Sequence, residues 1–461
     1  MAIKVFLHSL GCPKNLVDSE MMLGLIARDG GQVVLDPEAA DVLIVNTCGF
    51  IGDAKKESID AILDLARFKG GDANKRLVVT GCLVQRYGAD LHEALPEVDA
   101  FLGTGDFVRL PEMLADGGCS DPSTYGGAAH VLPDLAIPRV RTGQFFSAYL
   151  KVSEGCDHRC SFCIIPKIRG RHESRSMDSV LAEAQALAAD GVIELNLIAQ
   201  DLTAYGRDRG DGSSLSQLLR ALARIDRLRW IRLLYTYPRY VTDDLLDAIA
   251  GEEKVCSYID MPLQHISDRM LQRMRRERGG AAIRRLLQRV RDRIPGVAVR
   301  TAFIVGFPGE TEADFAELLQ FVAEARFERV GGFCYSKEEE TAAATFSEHV
   351  PESLKRKRRA ALMRVQAEVS AAANQRLVGS QQAVLVCGED ERGRTYGRLA
   401  TQAPEIDGVV YLRGQIPAGT MTQARITGSS TYDLRAEVSA AEGDGNPLTL
   451  PSNISTFRRL L

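Results

Sequence analysis

Apolar runs and amphipathic helical patterns alternate along the N-terminal part of the chain. Short apolar runs predict strands at 4–9, 41–46 and 76–80. Apolar residues spaced three and four apart predict the helices that follow, at 17–28, 53–68 and 85–94. Because strand and helix alternate, we expect an α/β fold in which helices cover a parallel sheet over residues 1–115.

A second alternating series occupies the middle of the chain. It predicts strands at 148–152, 194–198, 230–235, 258–261, 298–304 and 329–334. Helical patterns separate these strands, at 177–189, 214–223, 243–250, 268–275, 280–292 and 312–325, and a basic helix follows at 351–376. Six strand–helix units indicate a partial (β/α)6 barrel over 144–376 rather than a closed barrel of eight units. The segment 116–143 is rich in Gly and Pro and is predicted to be a linker.

The pattern changes again toward the C-terminus. Between 382 and 438 short strands are broken by Gly and Pro, with no helical periodicity. This pattern predicts a small antiparallel β-barrel, OB-like in type, over residues 377–441. Residues 442–461 are assigned to a C-terminal tail.

Composition narrows the class of protein. The 461 residues include 57 Lys and Arg against 61 Asp and Glu, a net charge of −4, which excludes a protein whose whole surface binds a polyanion. The chain has no signal-peptide core and no apolar run long enough for a membrane span, so we expect a cytoplasmic protein without membrane contact. Ten cysteines are too few for a disulfide scaffold of this length and predict metal ligands or reactive thiols.

Three cysteines stand close together after the first strand of the central series. Cys156, Cys160 and Cys163 are separated by three and then two residues. Three thiolates on one tight loop can hold three corners of a 4Fe–4S cluster and leave the fourth iron open. The alternative is a structural zinc site with His158 or His172 as fourth ligand. Structural zinc usually takes two ligand pairs, and the sequence has no second pair nearby, so the spacing favours an iron–sulfur cluster.

Three further cysteines share a position relative to the predicted N-terminal strands. Cys12, Cys48 and Cys82 each follow a strand by one to a few residues. The carboxyl ends of parallel strands lie along one edge of the sheet, where open α/β sheets bind ligands, so a second three-cysteine cluster is predicted. The alternative is that each is a small buried residue at a tight strand end. The remaining cysteines have no such partners and are predicted to be packing or surface thiols: Cys119, Cys256, Cys334 and Cys387.

The sequence around these cysteines resembles a known family. CDHRCSFC at 156–163 resembles the cluster-binding loop of the radical S-adenosylmethionine (SAM) superfamily, and GFPGET at 306–311 resembles its segment that contacts the adenosyl part of SAM. With the upstream cysteines and a small barrel that resembles the TRAM domain, residues 3–440 resemble a radical SAM methylthiotransferase. GCPKNLVDSE, NTCGFI and MPLQHISDRMLQRMRR resemble the branch that modifies a ribosomal protein rather than transfer RNA.

The resemblance implies two 4Fe–4S clusters and SAM as cofactors. One cluster would cleave SAM to a 5′-deoxyadenosyl radical, and the other would carry the transferred sulfur. Their implied ligands are Cys156, Cys160 and Cys163 for the first cluster and Cys12, Cys48 and Cys82 for the second. SAM would be both methyl donor and radical source. The implied reaction is methylthiolation of the β-carbon of an aspartate in the twelfth small-subunit ribosomal protein.

Other contacts and partners are less sharply indicated. Phe162 lies between the last two cysteines and Gln200 follows the second central strand, so both are candidate SAM contacts, although a core aromatic and a polar cap explain them equally well. Gly306 opens the segment that resembles the adenosyl-binding one. No residue is assigned a catalytic role. The implied electron donor is a reductase or a flavodoxin-type protein.

Charge is distributed unevenly along the chain. Residues 269–293 contain ten Arg against two acidic residues, a run that could follow phosphates or form the solvated face of two helices. The small barrel carries six Arg against seven Asp and Glu, which suits a basic protein partner better than RNA. Nucleic-acid contact is therefore not required. Two alternatives stay open: methylthiolation of a transfer-RNA adenosine, and a non-catalytic iron–sulfur regulator that binds RNA.

Overall fold

The N-terminal domain is a five-stranded parallel sheet flanked by helices. The computed structural model describes residues 2–70, 74–115, 137–276 and 279–438. The strands are β1 (Lys4–Ser9), β2 (Gln32–Val33), β3 (Val42–Thr47), β4 (Arg76–Gly81) and β5 (Ala100–Leu102). The helices are α1 (Pro13–Arg28), α2 (Gly52–Ala66), α3 (Cys82–Ala94) and α4 (Leu110–Ala115). The strand order is β2-β1-β3-β4-β5, so the direction of winding reverses between β1 and β3. Ligands of such sheets bind at that reversal, outside the carboxyl ends of the strands.

The central domain contains the six predicted parallel strands. Its strands are β6 (Ser147–Lys151), β7 (Ser153–Glu154), β8 (Glu173–Ser174), β9 (Glu194–Ile198), β10 (Trp230–Leu233), β11 (Val255–Asp260), β12 (Ala298–Val305) and β13 (Arg329–Cys334). Its helices are α5 (Ile165–Arg169), α6 (Met177–Ala189), α7 (Leu215–Ala223), α8 (Asp243–Gly251), α9 (Asp268–Arg273), α10 (Gly280–Arg293), α11 (Glu312–Ala325) and α12 (Glu352–Gln375). The main sheet has the order β13-β12-β11-β10-β9-β6, and β7 pairs with β8 in a separate small sheet. The partial (β/α)6 barrel is thereby confirmed.

The C-terminal strands close into a barrel, but it is not wholly antiparallel. The strands are β14 (Gln381–Glu389), β15 (Thr395–Leu399), β16 (Val410–Leu412), β17 (Met421–Ser429) and β18 (Leu434–Val438). They close in the order β14-β15-β16-β18-β17, and β16 and β18 pair in parallel. The prediction of an antiparallel barrel needs this correction because strand direction cannot alternate all the way round a closed ring of five.

The small barrel is docked on the central domain. The Arg398 guanidinium donates to both carboxylate oxygens of Glu194, at 2.9 and 2.5 Å. The Tyr258 hydroxyl donates to the Asp407 carboxylate at 2.8 Å. Apolar residues of both domains, among them Cys256 and Cys387, share one buried cluster. The buried ion pair and apolar cluster fix the small barrel beside the central sheet.

The end of the predicted linker is fixed to the N-terminal domain. The Val140 amide donates to the Glu20 carbonyl at 3.0 Å, and Arg139 forms ion pairs with Glu20 and Glu183 at 2.6 and 2.9 Å. A Cβ on Gly24 would lie 2.0 Å from the Pro138 carbonyl oxygen. The remainder of the linker, 116–136, and the tail, 442–461, lie outside the described residues. No helix in the described ranges combines the length and apolarity needed to cross a bilayer.

Candidate functional site

The N-terminal cysteines lie where the sheet reverses its winding. Cys12 precedes α1, Cys48 follows β3, and Cys82 is the first residue of α3. Glycines let the three loops pack against one another. A Cβ on Gly11 would lie 3.0 Å from the Cβ of Cys48, and one on Gly49 would lie 2.8 Å from the carbonyl oxygen of Cys82. The charges of Cys12 and Cys82 act on the pKa of Cys48, so the structure brings these thiols together.

Asn15 ties the same loops together. Its side-chain amide donates to the carbonyl oxygens of Leu10 and Thr47, at 3.1 and 2.9 Å. Its side-chain oxygen accepts from the thiol of Cys82 at 3.5 Å. The side chain is fully buried, so the loops after β1, β3 and β4 are fixed by one residue that sequence reasoning did not single out.

The central cysteines lie on a loop between β7 and α5. The Cys156 amide donates to the Gly170 carbonyl, and the Cys163 amide donates to the Cys160 carbonyl, both at 3.1 Å. Ser161 anchors the loop: its amide donates to Met274 at 3.1 Å and its hydroxyl to Arg273 at 2.7 Å. The loop is therefore fixed by hydrogen bonds within itself, by one to Gly170 after α5, and by two to the C-terminal end of α9.

Burial keeps two thiols of each group protonated in the protein alone. It raises the pKa of Cys48 to about 11 and that of Cys156 to about 12. Burial also raises the pKa of Cys82 and Cys163. Binding to iron releases such protons, because the thiolate is the ligand. The donor set therefore fits a group that carries positive charge.

A 4Fe–4S cluster and a single metal ion require different distances between the thiols. No group of three His, Cys, Asp or Glu side chains in the described part of the chain is close enough to hold one metal ion. The thiolates of a 4Fe–4S cluster bind different irons and so stand farther apart. The zinc alternative needed His158 or His172. The Nε2 atom of His158 lies 2.6 Å from Asp201 Oδ2, and that of His172 lies 3.1 Å from Ser174 Oγ.

Arg169 connects the two groups of cysteines. It is the last residue of α5, the helix that follows Cys163, and its guanidinium donates to the sulfur of Cys82 at 3.2 Å. It also donates to Asp18 of α1 at 2.7 Å and to Glu154 at 3.3 Å. The side chain is only 3 % exposed. Cys82 of the N-terminal group therefore lies against the helix that follows the central cysteines.

A second cation completes this ionic network. Lys151 at the end of β6 donates to Asp18 at 2.5 Å and to Glu154 at 2.7 Å. Burial alone would raise the pKa of Glu154, but the charges of Lys151 and Arg169 lower it to about 2. Glu154 also accepts from the side-chain amide of Gln200. The Glu154 carboxylate is thus ionised throughout the ordinary pH range.

A separate set of contacts closes the far side of the interface. Glu338, which follows β13, accepts from the Gly52 amide at 2.9 Å and forms ion pairs with Arg86 at 2.9 Å and Lys55 at 3.0 Å. The Tyr87 hydroxyl donates to Glu339 at 2.8 Å. The cysteine edge of the N-terminal sheet therefore covers the carboxyl ends of the central strands.

The candidate SAM contacts have structural roles of their own. Phe162 packs against an apolar cluster that includes Met270 and Phe307, as a core aromatic would. Gln200 donates to Glu154, while its side-chain oxygen is buried without a hydrogen bond. Gly306 has a positive φ of 71°, and a Cβ there would lie 2.3 Å from Lys355. Contact of these residues with SAM stays a prediction.

Five arginines of the arginine-rich run form ion pairs with acidic neighbours. The exposed pairs include Arg284 with Glu324 at 2.9 Å and Arg293 with Asp247 at 2.5 Å. Arg276 differs, because its guanidinium lies 3.7 Å from the sulfur of Cys160 and stacks on Tyr237. Because the segment contains so many arginines, the sequence did not indicate that Arg276 is the one that contacts a cysteine.

The remaining cysteines agree with the sequence reading as far as they are described. Cys256 and Cys387 are buried, and Cys334 is half-buried. Cys119 lies outside the described residues.

Family models match three parts of the chain. The model described as "Uncharacterized protein family UPF0004" matches residues 4–103, that of the radical SAM superfamily matches 150–322, and that of the TRAM domain matches 378–438. Among solved structures, the chain is similar to the radical SAM methyltransferase TsrM from Kitasatospora setae with tryptophan and a SAM analogue bound. That match has a TM-score of 0.54 at 15% identity and covers 72% of this chain and 73% of TsrM. It shows the shared fold.

Curated relatives match nearly the whole chain. The ribosomal protein uS12 methylthiotransferase RimO of Geotalea uraniireducens is 50% identical over 439 residues, 94% of this chain and 98% of the relative. RimO of Geobacter sulfurreducens shows the same identity and coverage. RimO of Anaeromyxobacter sp. (strain K) is 49% identical over 461 residues, 98% of this chain and 97% of the relative. The chain therefore belongs to the RimO family of uS12 methylthiotransferases, enzymes of the radical SAM superfamily.

Proposed function

We propose that this enzyme methylthiolates the β-carbon of an aspartate in ribosomal protein uS12. The observation that carries the proposal is the contact of Arg169 with Cys82, because it joins the loop of one cysteine group to the other. Methylthiolation needs a site that activates carbon beside a site that delivers sulfur. The packing of Cys82 against the helix that follows Cys163 is consistent with that arrangement.

The chemistry explains why two such groups are needed. The β-carbon of an aspartate is an aliphatic C–H with no useful acidity, so a general base cannot activate it. When bound, one cluster with an open iron supplies the electron that cleaves SAM, and a second supplies the sulfur. We propose as ligands Cys156, Cys160 and Cys163 for the first cluster and Cys12, Cys48 and Cys82 for the second.

Two arginines would stabilise the sulfur ligands of these clusters. Arg169 donates to Cys82 at 3.2 Å, and Arg276 lies 3.7 Å from Cys160. Hydrogen bonds to the ligand sulfur favour the thiolate and tune the reduction potential of the iron. Each proposed cluster thus has one arginine at one of its ligands.

The domain interface protects the site from water. The side chains of Lys151, Asp18 and Glu154 are 1 %, 6 % and 1 % exposed, and Glu338 closes the opposite side. A site closed to water prevents side reactions of the reactive species that SAM cleavage produces. The protein's own contribution is therefore position and exclusion of water.

The charge of the small barrel supports a basic protein as substrate. Its six Arg and seven Asp and Glu include Arg398 and Asp407, whose side chains are buried against the central domain. One charge of each sign is removed from the surface, so the slight acidic excess persists there. Ribosomal proteins are basic, and an acidic surface attracts them and repels RNA. We further propose a reductase or flavodoxin-type electron donor and a cytoplasmic location.

The intact mass of uS12 from a strain that lacks this enzyme tests the proposed function. The methylthio group adds about 46 Da to the aspartate, and this increment must disappear in the deletion strain and return on complementation. Persistence of the increment would refute the assignment. Loss of a methylthio group from transfer RNA, with uS12 unchanged, would instead support the adenosine substrate.

Iron content and SAM cleavage test the enzyme class separately. After anaerobic reconstitution we expect about eight irons per chain and release of 5′-deoxyadenosine on reduction. Stoichiometric zinc without cleavage would refute a radical SAM enzyme and support a non-catalytic regulator.

A further inference from the structure

One buried lysine beside the N-terminal cysteines has no hydrogen-bond acceptor among the residues that the structure describes. Lys14 lies in the first turn of α1, two residues after Cys12, and is 6 % exposed. Its ammonium makes no hydrogen bond or ion pair with any residue in the described ranges. A buried cation without an acceptor costs free energy, so such a group is normally paired.

The ammonium lies on the ring of Tyr235. The distance from the nitrogen to the ring centroid is 3.0 Å, a cation–π contact across the domain interface. Tyr235 follows β10 and has a positive φ of 61°, a conformation that is strained for a bulky residue. Its amide donates to Asp260 at 3.0 Å, and its carbonyl accepts from Leu202 at 3.0 Å. Both hydrogen bonds hold the ring in place beneath Lys14.

The carboxylates near Lys14 already have other cationic partners. Burial lowers the pKa of Lys14, and the negative charges of Cys12, Glu154 and Asp260 offset part of this effect. Glu154 is bonded to Lys151 and Arg169. Asp260 forms an ion pair with Arg300 at 2.8 Å. Lys14 is therefore the cation in this group that has no carboxylate of its own.

The residues that flank Lys14 are more exposed than Lys14 itself. Cys12 and Tyr235, which flank Lys14, are both half-buried rather than enclosed. A side chain that enters between the two groups of cysteines can therefore reach the ammonium. The substrate class proposed above brings a carboxylate attached directly to the reacting carbon.

We propose that Lys14 binds the side-chain carboxylate of the substrate aspartate and so selects aspartate over asparagine, with Tyr235 as the positioning residue for its ammonium. This inference rests on the proposed function. An ion pair here would fix the β-carbon one bond away from the bound carboxylate. An asparagine amide could still offer its carbonyl oxygen to the ammonium, but it carries no negative charge, so the buried positive charge of Lys14 would stay uncompensated.

The test compares the affinity of the reconstituted holoenzyme for uS12 and for a uS12 variant in which the aspartate is asparagine. Hydrogen bonds to charged groups correspond to a difference of about 10- to 100-fold in Kd, so the wild-type enzyme must prefer the aspartate form by that factor. The Lys14→Met enzyme must retain its iron and must bind the aspartate and asparagine forms of uS12 with equal Kd. Tyr235→Phe keeps the aromatic ring and must keep the preference. Lys56→Met is the matched control, because Lys56 is an exposed lysine of the same domain with a 76 % exposed side chain.

The outcomes separate this inference from the proposed function. If Lys14→Met still binds the aspartate form more tightly than the asparagine form, the inference alone is overturned. The same holds if the variant keeps this preference and only the midpoint potential of the clusters shifts, since Lys14 would then only balance the charge of a cluster. If Lys14→Met loses iron, Lys14→Gln replaces it, and the same equality of the two affinities is required. Failure of the wild-type enzyme to bind uS12 at all would overturn the proposed function and the inference together.

Discussion

Replacement of Arg169 by Met tests whether the buried ionic network holds the two cysteine groups together. The side chain is 3 % exposed and bonds to Asp18 at 2.7 Å and Glu154 at 3.3 Å. Removal of one partner from a buried ion pair costs about 3–5 kcal/mol, because the remaining charge is left uncompensated. Lys151 stays bonded to both carboxylates, at 2.5 and 2.7 Å, so we expect the lower end, about 3 kcal/mol.

Urea unfolding of the holoenzyme, followed by tryptophan fluorescence under anaerobic conditions, measures this loss. Trp230 is the only tryptophan of the chain and lies 6 % exposed in β10, so it reports on the central domain. Because the dependence on urea is steep for a large protein, the midpoint is expected to fall by about 1 M or less. Arg394→Met, which breaks an exposed pair with Asp390, is the control and should leave the midpoint unchanged. An equal midpoint for both variants would refute a structural role for the network.

Three further predictions concern the clusters, the small barrel and the linker. Cys160→Ala should abolish 5′-deoxyadenosine formation and retain about four irons, whereas Cys48→Ala should retain SAM cleavage and lose sulfur transfer; wild-type sulfur transfer by Cys48→Ala would refute the second site. Burial would raise the pKa of Glu194, but its arginine partners lower it to about 2. Its contribution to stability is therefore complete above pH 4.5 and is lost as the pH falls toward 2, and a Glu194→Gln variant should lack this step in an acid titration of Trp230 fluorescence. Gly24→Ala adds a Cβ 2.0 Å from the Pro138 carbonyl oxygen, so it should destabilise the protein by about 1–3 kcal/mol in thermal unfolding, where an unobstructed helical Gly→Ala change would stabilise it.

The hydrophobic pattern predicted the long elements and missed the short ones. Strands such as Glu194–Ile198 and Arg329–Cys334 have the predicted bounds, because five or six residues are enough to show a hydrophobic pattern. Gln32–Val33 and Ala100–Leu102 form the two edges of the N-terminal sheet and were not predicted. Two or three residues carry no period, and such strands form because a neighbouring strand offers hydrogen bonds. Tertiary context, which is absent from the local sequence, decides them.

The part of the site that could be predicted from the sequence is the two groups of cysteines. Each group of cysteines recurs at a spacing or position that has a physical meaning, and the structure brings each group together. Asn15, Lys14 and Arg169 were not singled out, because each is a single residue of an ordinary type. The hydrogen bond between Asn15 and Arg169 spans 154 positions in the sequence. No local pattern marks a pair at such a distance.

The buried charges at the interface are better explained by specificity than by stability. Ion pairs in a protein interior rarely exceed the cost of their own desolvation, and an apolar interface of equal size would often be more stable. An apolar interface, however, tolerates sliding and repacking, since hydrophobic contact is not directional. The pairs of Arg169 and Lys151 with Asp18 and Glu154 have one good geometry, and a shift of an ångström would leave charges unpaired. A reaction that moves sulfur between two fixed sites depends on their separation, so this network favours one register of the domains over all others.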